Sequence, residues 1–212
     1  MSTDHLLLWF DLETTGLNER EDSILEVGWG LTSFSFQWIV EPIGYVIEQD
    51  VLVEAASLPV MQGVTMQGGP RTWTINGKQL DPFIVEMHTK SGLLNDLVQG
   101  PTIALGKVEQ AIISVLDSYE GTKFSMAGSG VSQFDMRWIS YHMPDLHSML
   151  TYYSIDLGSY ERTDSVLRGG GIRSSRGAAE HRAVADIEFS HRLAMAYRAF
   201  LLTGTTFDRN NP

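Results

Sequence analysis

The chain has 212 residues, with 26 acidic against 15 basic side chains and a net charge of −11. Hydrophobic residues make up 43%, enough for a real core, and charged residues only 19%, which excludes a disordered chain. With no cysteine, disulfides and thiolate metal sites are excluded. No apolar run approaches the ~18 residues of a membrane span, and the start lacks the basic-then-apolar pattern of a secretory leader, so a cytoplasmic protein without a membrane partner is expected.

A protein that tracks a long nucleic acid usually shows a basic stripe, and this chain as a whole does not. Charge is uneven, however. Between Glu161 and Arg182, five arginines stand against three acids, which fits a short anionic ligand better than a long polymer.

In chain order, Leu6 to Asp11 reads as a central strand, apolar on both faces. Ile24 to Leu31 and Phe34 to Val40 read as the second and third strands of a meander, with Gly28 and Gly30 marking a bulge or a close backbone approach. Gly44 to Gly77 is an insertion, an extra hairpin or a long excursion. Helical turns follow at Pro82 to Met87 and Leu94 to Val98. Val108, Ile112 and Leu116 at fourfold spacing make Gly106 to Tyr119 an amphipathic helix. Lys123 to Ala127 is a strand, and Ser132 is a candidate N-cap for a helix ending at Pro144. Thr151 to Asp156 is a fifth strand and Ser159 to Leu167 a helix. Arg168 to Gly177 is a loop, Ala183 to Leu202 the longest helix, and 203–212 a tail. The order implies one α/β domain over 1–202, with a mixed five-stranded sheet flanked by helices.

Asp11 and Glu13 are two positions apart at the end of the first strand, so they share a face. Paired carboxylates repel unless something positive lies between them, and oxygen ligands suit a hard cation such as Mg²⁺ or Mn²⁺. Asp135 and Asp186 each fall near a helix start, where an acid is favourable by ~0.3–1 kcal/mol without any other role. His181 precedes Asp186 by five positions, about 140° apart on an ideal helix. If both serve one site, His181 belongs on the loop or cap.

As an ordered set, these residues resemble those of the DEDDh 3′→5′ exonucleases, and among them the oligoribonucleases. The resemblance rests on Trp9-Phe10-Asp11-Leu12-Glu13-Thr14-Thr15-Gly16-Leu17, Ile24-Leu25-Glu26, His88-Thr89-Lys90-Ser91-Gly92-Leu93, Tyr141-His142-Met143-Pro144-Asp145-Leu146 and His181-Arg182-Ala183-Val184-Ala185-Asp186-Ile187. It implies a ribonuclease H-like fold. It further implies that Asp11, Glu13, Asp135 and Asp186 hold two divalent metal ions, Mg²⁺ or Mn²⁺, about 3.5–4 Å apart. His181 would be the general base, and short single-stranded RNA would be degraded from its 3′ end to nucleoside 5′-monophosphates. By the same resemblance Leu17 wedges between terminal bases, Phe83 stacks on a base where the family has Trp, and His88 faces substrate. Tyr152 would reach across a homodimer. Tyr153 and Gly158 replace an Arg and a Ser that lie near the substrate's 5′ phosphate in the family. A relaxed length preference is therefore expected, unless Arg168, Arg173 or Arg176 rebuilds that contact. Two other readings share these residues: a DNA-directed or proofreading-like exonuclease, and a non-enzymatic RNA-binding module.

Overall fold

The computed structural model describes residues 5–55, 71–169 and 180–204. Its main sheet is built on β1 (His5–Thr14), which pairs antiparallel with β2 (Ile24–Ser33) and parallel with β7 (Lys123–Gly128). With β3 (Trp38–Val46) and β8 (Ile155–Asp156) the strand order is β3-β2-β1-β7-β8, the mixed five-stranded sheet expected. This is the ribonuclease H-like α/β fold.

Alternation along β1 assigns its faces. Leu6, Leu8, Phe10 and Leu12 enter one core with α3 (Leu105–Leu116), α4 (Asp135–His142) and α5 (Pro144–Met149). Leu7 and Trp9 enter the other, against Ile187, Leu193, Ala194 and Tyr197 of α7 (Ala183–Thr203). Asp11 and Glu13 continue the Leu7–Trp9 face, so both carboxylates point to the side on which α7 lies.

Two glycines let α7 come close. Gly28 of β2 and Gly44 of β3 are cross-strand partners. A Cβ on Gly28 would lie 2.8 Å from that of Ala183, and one on Gly44 would lie 2.9 Å from Val184 Cγ2. The start of α7 is seated in the groove these positions leave, one turn before Asp186. The close approach expected at Gly28 is thus real, while Gly30 lies under Trp38 beside the register shifts of β2 and β3.

The insertion is folded where it is described. β4 (Val51–Ala55), β5 (Arg71–Ile75) and β6 (Lys78–Gln79) form a separate three-stranded antiparallel sheet. Trp73, Ile75 and Leu80 pack with Leu25 and with Leu93, Leu94 and Leu97 of α2 (Leu93–Gln99), which follows α1 (Pro82–Lys90). Gly44 to Val46, read as the start of the insertion, belongs to β3.

Other boundaries also moved. Phe34 to Gln37 alternates like a strand but forms the β2–β3 turn. Phe36 has φ +65° and its N–H donates to the Ser33 carbonyl, while the Ser33 hydroxyl receives the N–H of Gln37. The fifth strand keeps only Ile155 and Asp156. Ser132 does not cap α4. Its N–H and hydroxyl donate to Asp156, which caps α6 (Leu157–Arg168) through the N–H of Ser159. Pro144 ends α4 and also opens α5 at its first turn, where a missing N–H costs nothing. Residues 56–70, the loop residues 170–179, and 205–212 of the tail lie outside the described residues.

Replacing Gly28 by Ala should push the start of α7 off the sheet. We expect a loss of about 1–3 kcal/mol, the usual cost of overpacking, read by denaturant melts. Because Asp186 would be displaced as well, activity should fall further than stability does.

Candidate active site

The site is built where β1 ends, α4 begins and α7 begins. Glu13 is buried, and Asp11 is half-buried beside it. His181 has φ +50° and lies just before Arg182, the N-cap of α7, so it is outside the regular helix, as its five-residue offset from Asp186 requires. Ligand atoms of Glu13, His181 and Asp186 all lie within 4.8 Å of one another and could hold a metal ion. Asp135, in the first turn of α4, is buried, and its Oδ1 has no hydrogen-bond partner.

The electrostatics show how closely these acids are gathered. Burial, and then the carboxylates of Asp135, Glu13 and Asp186, push the Asp11 carboxyl well above the usual range. Glu13 is pushed up to about 8 by burial and by Asp186, Glu26 and Asp135, with Arg182 pulling the other way. Asp135 is pushed up to about 7, mainly by burial, which backbone N–H groups at Asp135 and Leu12 partly offset. Four oxygen-donor side chains, mutually repelling, with a buried carboxylate oxygen left unpartnered, form a donor set that fits hard divalent cations.

Glu26 and Arg182 form the brace that sequence reasoning left without a role. Glu26 is the cross-strand partner of Glu13, so two acids face each other across the β1–β2 pair. Its carboxylate is taken up by Arg182, whose Nε donates at 3.1 Å and Nη2 at 2.9 Å, and by the N–H of Ala183 at 3.0 Å. Arg182 also pairs with Asp96 of α2 at 2.8 Å. A buried carboxylate thus caps α7 and, with Asp96, clamps Arg182, the residue next to His181. The Ile24-Leu25-Glu26 match was the one available signal.

Other predicted residues divide by position. Phe83, 69% exposed, lines a cleft of about 580 Å³ with Met87, Lys90, Glu180, His181 and Arg182. Leu17 is 77% exposed on the loop after β1. His88 does not face that cleft. It is fully buried, its Nε2–H donates to the Thr14 carbonyl at 3.0 Å, and its Nδ1 lies 3.9 Å from Glu13. Burial holds its ring below the usual histidine range, so the neutral ring backs Glu13 from inside the protein. Tyr152 is 97% exposed and lies away from the acids. Its neighbours Thr151 and Tyr153 reach Phe124 and the ring of His5, at the opposite end of β1 from Glu13.

No family model matches the sequence. The oligoribonuclease of Tropheryma whipplei is 28% identical over 203 residues, covering 94% of this chain and 95% of that one. The oligoribonuclease of Hydrogenovibrio crunogenus is 31% identical over 160 residues, covering 75% and 73%. The chain belongs to the oligoribonuclease family. It is a 3′→5′ exonuclease, a hydrolase. Among solved structures, Escherichia coli exonuclease I in complex with single-stranded DNA matches with a TM-score of 0.56 at 16% identity, and exonuclease I from Methylocaldum szegediense with 0.56 at 18%. Each covers 95% and 94% of this chain respectively, but only 41% of the exonuclease I chain, so the likeness is one of fold.

Against the oligoribonuclease pattern, the two departures have a local setting. A Cβ on Gly158 would lie 3.0 Å from Ser129 Oγ and 3.2 Å from Arg162 Nη1. The guanidinium beside this position is therefore Arg162's, a residue that sequence reasoning passed over. Arg173 and Arg176 lie outside the described residues, as does the side chain of Arg168.

The raised carboxyls fix a sign. In the unfolded chain these groups lose their protons near pH 4 or just above, at about their ordinary values, whereas folded Glu13 and Asp135 keep theirs to about 8 and about 7. Between those limits the native state binds more protons than the unfolded state, so stability falls as pH rises. In chelator, melting temperature should decline from about pH 5 to about pH 8, and Glu13→Gln should flatten the decline. Saturating Mn²⁺ should stabilise most at the alkaline end, because ligand carboxylates must ionise to bind. An unaltered slope in the Gln variant would count against this electrostatic account.

Proposed function

We propose that this chain is a metal-dependent exoribonuclease that shortens single-stranded RNA oligonucleotides from the 3′ end, releasing nucleoside 5′-monophosphates. The observation that carries this reading is the meeting of Asp11, Glu13, Asp135 and Asp186 with His181 beside a cleft lined by Phe83. The acidic net charge supports short substrates over long ones.

Asp11, Glu13, Asp135 and Asp186 would hold two divalent ions, Mg²⁺ or Mn²⁺. When bound, such ions supply charge neutralisation at the scissile phosphate and a more acidic attacking water. The remaining work falls to the chain's own groups. His181, on its loop position at the cleft, takes the proton from the attacking water, a task suited to an imidazole near neutral pH. Arg182, held by Glu26 and Asp96, keeps His181 in place. Phe83 offers a ring face for stacking with a base, a contact worth about 1–3 kcal/mol, and Leu17 offers an apolar edge from the other loop.

The acting unit is a homodimer. Tyr152 is exposed and remote from its own acids, which supports service to a partner's cleft. Phe34, Tyr153, Tyr160, Leu201 and Leu202 give the same side of the molecule an exposed apolar character suited to a second copy. One exonuclease domain spans 1–202, with the insertion as its accessory part. With Tyr153 and Gly158 in place of the family's Arg and Ser, selection by substrate length is relaxed.

The test is cleavage of 5′-labelled RNA and DNA of two to twelve nucleotides with Mn²⁺, Mg²⁺ or chelator. Stepwise, metal-dependent shortening of RNA is expected, abolished by Asp11→Ala and reduced by roughly 10²–10⁴ in His181→Ala. Five- to seven-mers should be cut within an order of magnitude of dinucleotides. Strong preference for dinucleotides would refute the relaxed length selection, and equal cutting of DNA would move the assignment to a general exonuclease. RNA binding that survives Asp11→Ala without any cleavage would mark a binding module.

A further inference from the structure

The insertion closes on the loop that carries Leu17. That loop, Gly16 to Ser23, leaves the β1 strand just after Glu13 and turns back into β2. Its internal anchor is Asp22, whose side chain is 7% exposed. Oδ2 of Asp22 accepts the N–H of Asn18 at 3.0 Å, and Oδ1 accepts the Thr15 hydroxyl at 3.2 Å. Gly16 makes room for this, since a Cβ there would lie 2.4 Å from the carboxylate.

The strongest partner of Asp22 comes from the insertion. Lys78, the first residue of β6, donates from Nζ to Asp22 Oδ1 at 2.6 Å. Although burial pulls it upward, these donors hold the Asp22 carboxyl below its ordinary range. Two residues earlier, Asn76 occupies the β5–β6 turn at φ +51° and donates from its side chain to Ser23 Oγ at 2.9 Å and to Gln49 Oε1 at 2.7 Å. The opposite flank is held by α4. Arg137 Nη2 donates to the Leu17 carbonyl at 2.7 Å and its Nε pairs with Glu19 at 2.9 Å, while His142 Nε2–H donates to the Glu19 carbonyl at 2.7 Å. The loop backbone is therefore gripped from both sides, yet the one apolar side chain at its tip, Leu17, is left in solvent.

We propose that the β4-β5-β6 sheet is a brace for the Leu17 loop, with Lys78 as the positioning residue that sets how tightly the end of a short oligonucleotide is held. This rests on Leu17 being a substrate contact. A loop ordered before binding does not have to be ordered by the substrate, so the brace acts on affinity and not on the chemical step. Lys78 touches no catalytic group and acts through Asp22, with a longer contact of 3.5 Å to the Glu21 carbonyl of the same loop. The accessory sheet thereby becomes part of substrate selection.

Two measurements on the full-length protein test this. Amide hydrogen exchange across residues 15–23, made without RNA, should speed up by about tenfold in Lys78→Met and return to the wild-type rate in Lys78→Arg. Steady-state cleavage of a labelled RNA trinucleotide should show KM raised about tenfold in Lys78→Met, the scale of one lost charge-assisted hydrogen bond, with kcat within about twofold. Leu17→Ala should raise KM similarly, and the Leu17→Ala/Lys78→Met double variant should be no worse than Leu17→Ala alone, since the two act on one contact. Unchanged exchange in Lys78→Met overturns the brace. Faster exchange with KM unchanged, or additive KM effects in the double variant, overturns the positioning role. If the wild-type protein cleaves no RNA, the functional reading fails, and the exchange result still decides whether the insertion braces the loop.

Discussion

Four carboxylates gathered at the end of a buried strand repel one another, and the surrounding frame is shaped by having to hold them there. Alternation along β1 sends Asp11 and Glu13 to the α7 side, and Gly28 and Gly44 let α7 come near enough to add Asp186. Asp135 arrives from α4 on the neighbouring parallel strand. Burial first, and for Glu13 the nearby Asp186, Glu26 and Asp135 as well, makes ionisation costly, which is why Glu13 and Asp135 hold their protons near neutrality. A frame of this kind gains nothing from the acids themselves until positive charge is supplied, so its rigidity has to come from elsewhere. It comes from two cores on either side of the sheet and from the Glu26–Arg182–Asp96 clamp at the head of α7.

That clamp also resolves a local conflict. Glu13 and Glu26 face each other across an antiparallel pair, an arrangement that is unfavourable for like charges. Arg182 offsets the Glu26 charge by a two-pronged pairing, and the same carboxylate accepts the N–H of Ala183 at the head of α7. The residue that neutralises the inner acid is the direct neighbour of His181. Charge balance and placement of His181 are thus one device, and Lys would not reproduce it, because the planar guanidinium serves Glu26 and Asp96 together.

Much of this was legible because it depends on short-range periodicity. The shared face of Asp11 and Glu13 follows from a repeat of two, and the position of His181 off the helix follows from 100° per residue. The ordered set of acids then carried the family resemblance. What was not legible depends on distant partners. Phe34 to Gln37 has the alternation of a strand, and only the Ser33 hydrogen bonds make it a turn. Ser132 has the look of an N-cap, yet Asp156, far along the chain, claims it. His88 was expected to face substrate, but it is buried beside Glu13 with its Nε2–H held by the Thr14 carbonyl, a partner 74 residues away. The insertion was legible only as an extra hairpin or a long excursion, because what its short strands pack on, Leu25 and α2, lies elsewhere in the chain.

The division between core and periphery carries one more step. Glu13, Asp135, Glu26 and His88 are buried and Asp11, Asp186 and Arg182 half-buried, so each is constrained by several neighbours. Leu17, Phe83 and Tyr152 are exposed, and the groups that hold or replace them differ from the family's pattern: Phe for Trp, Tyr153 and Gly158 for Arg and Ser, Arg162 beside the vacated position, and an accessory sheet tied to Asp22. On the function proposed, a change at Leu17 or Phe83 would act on how firmly substrate is held, because neither is among the groups that set the charge around Glu13.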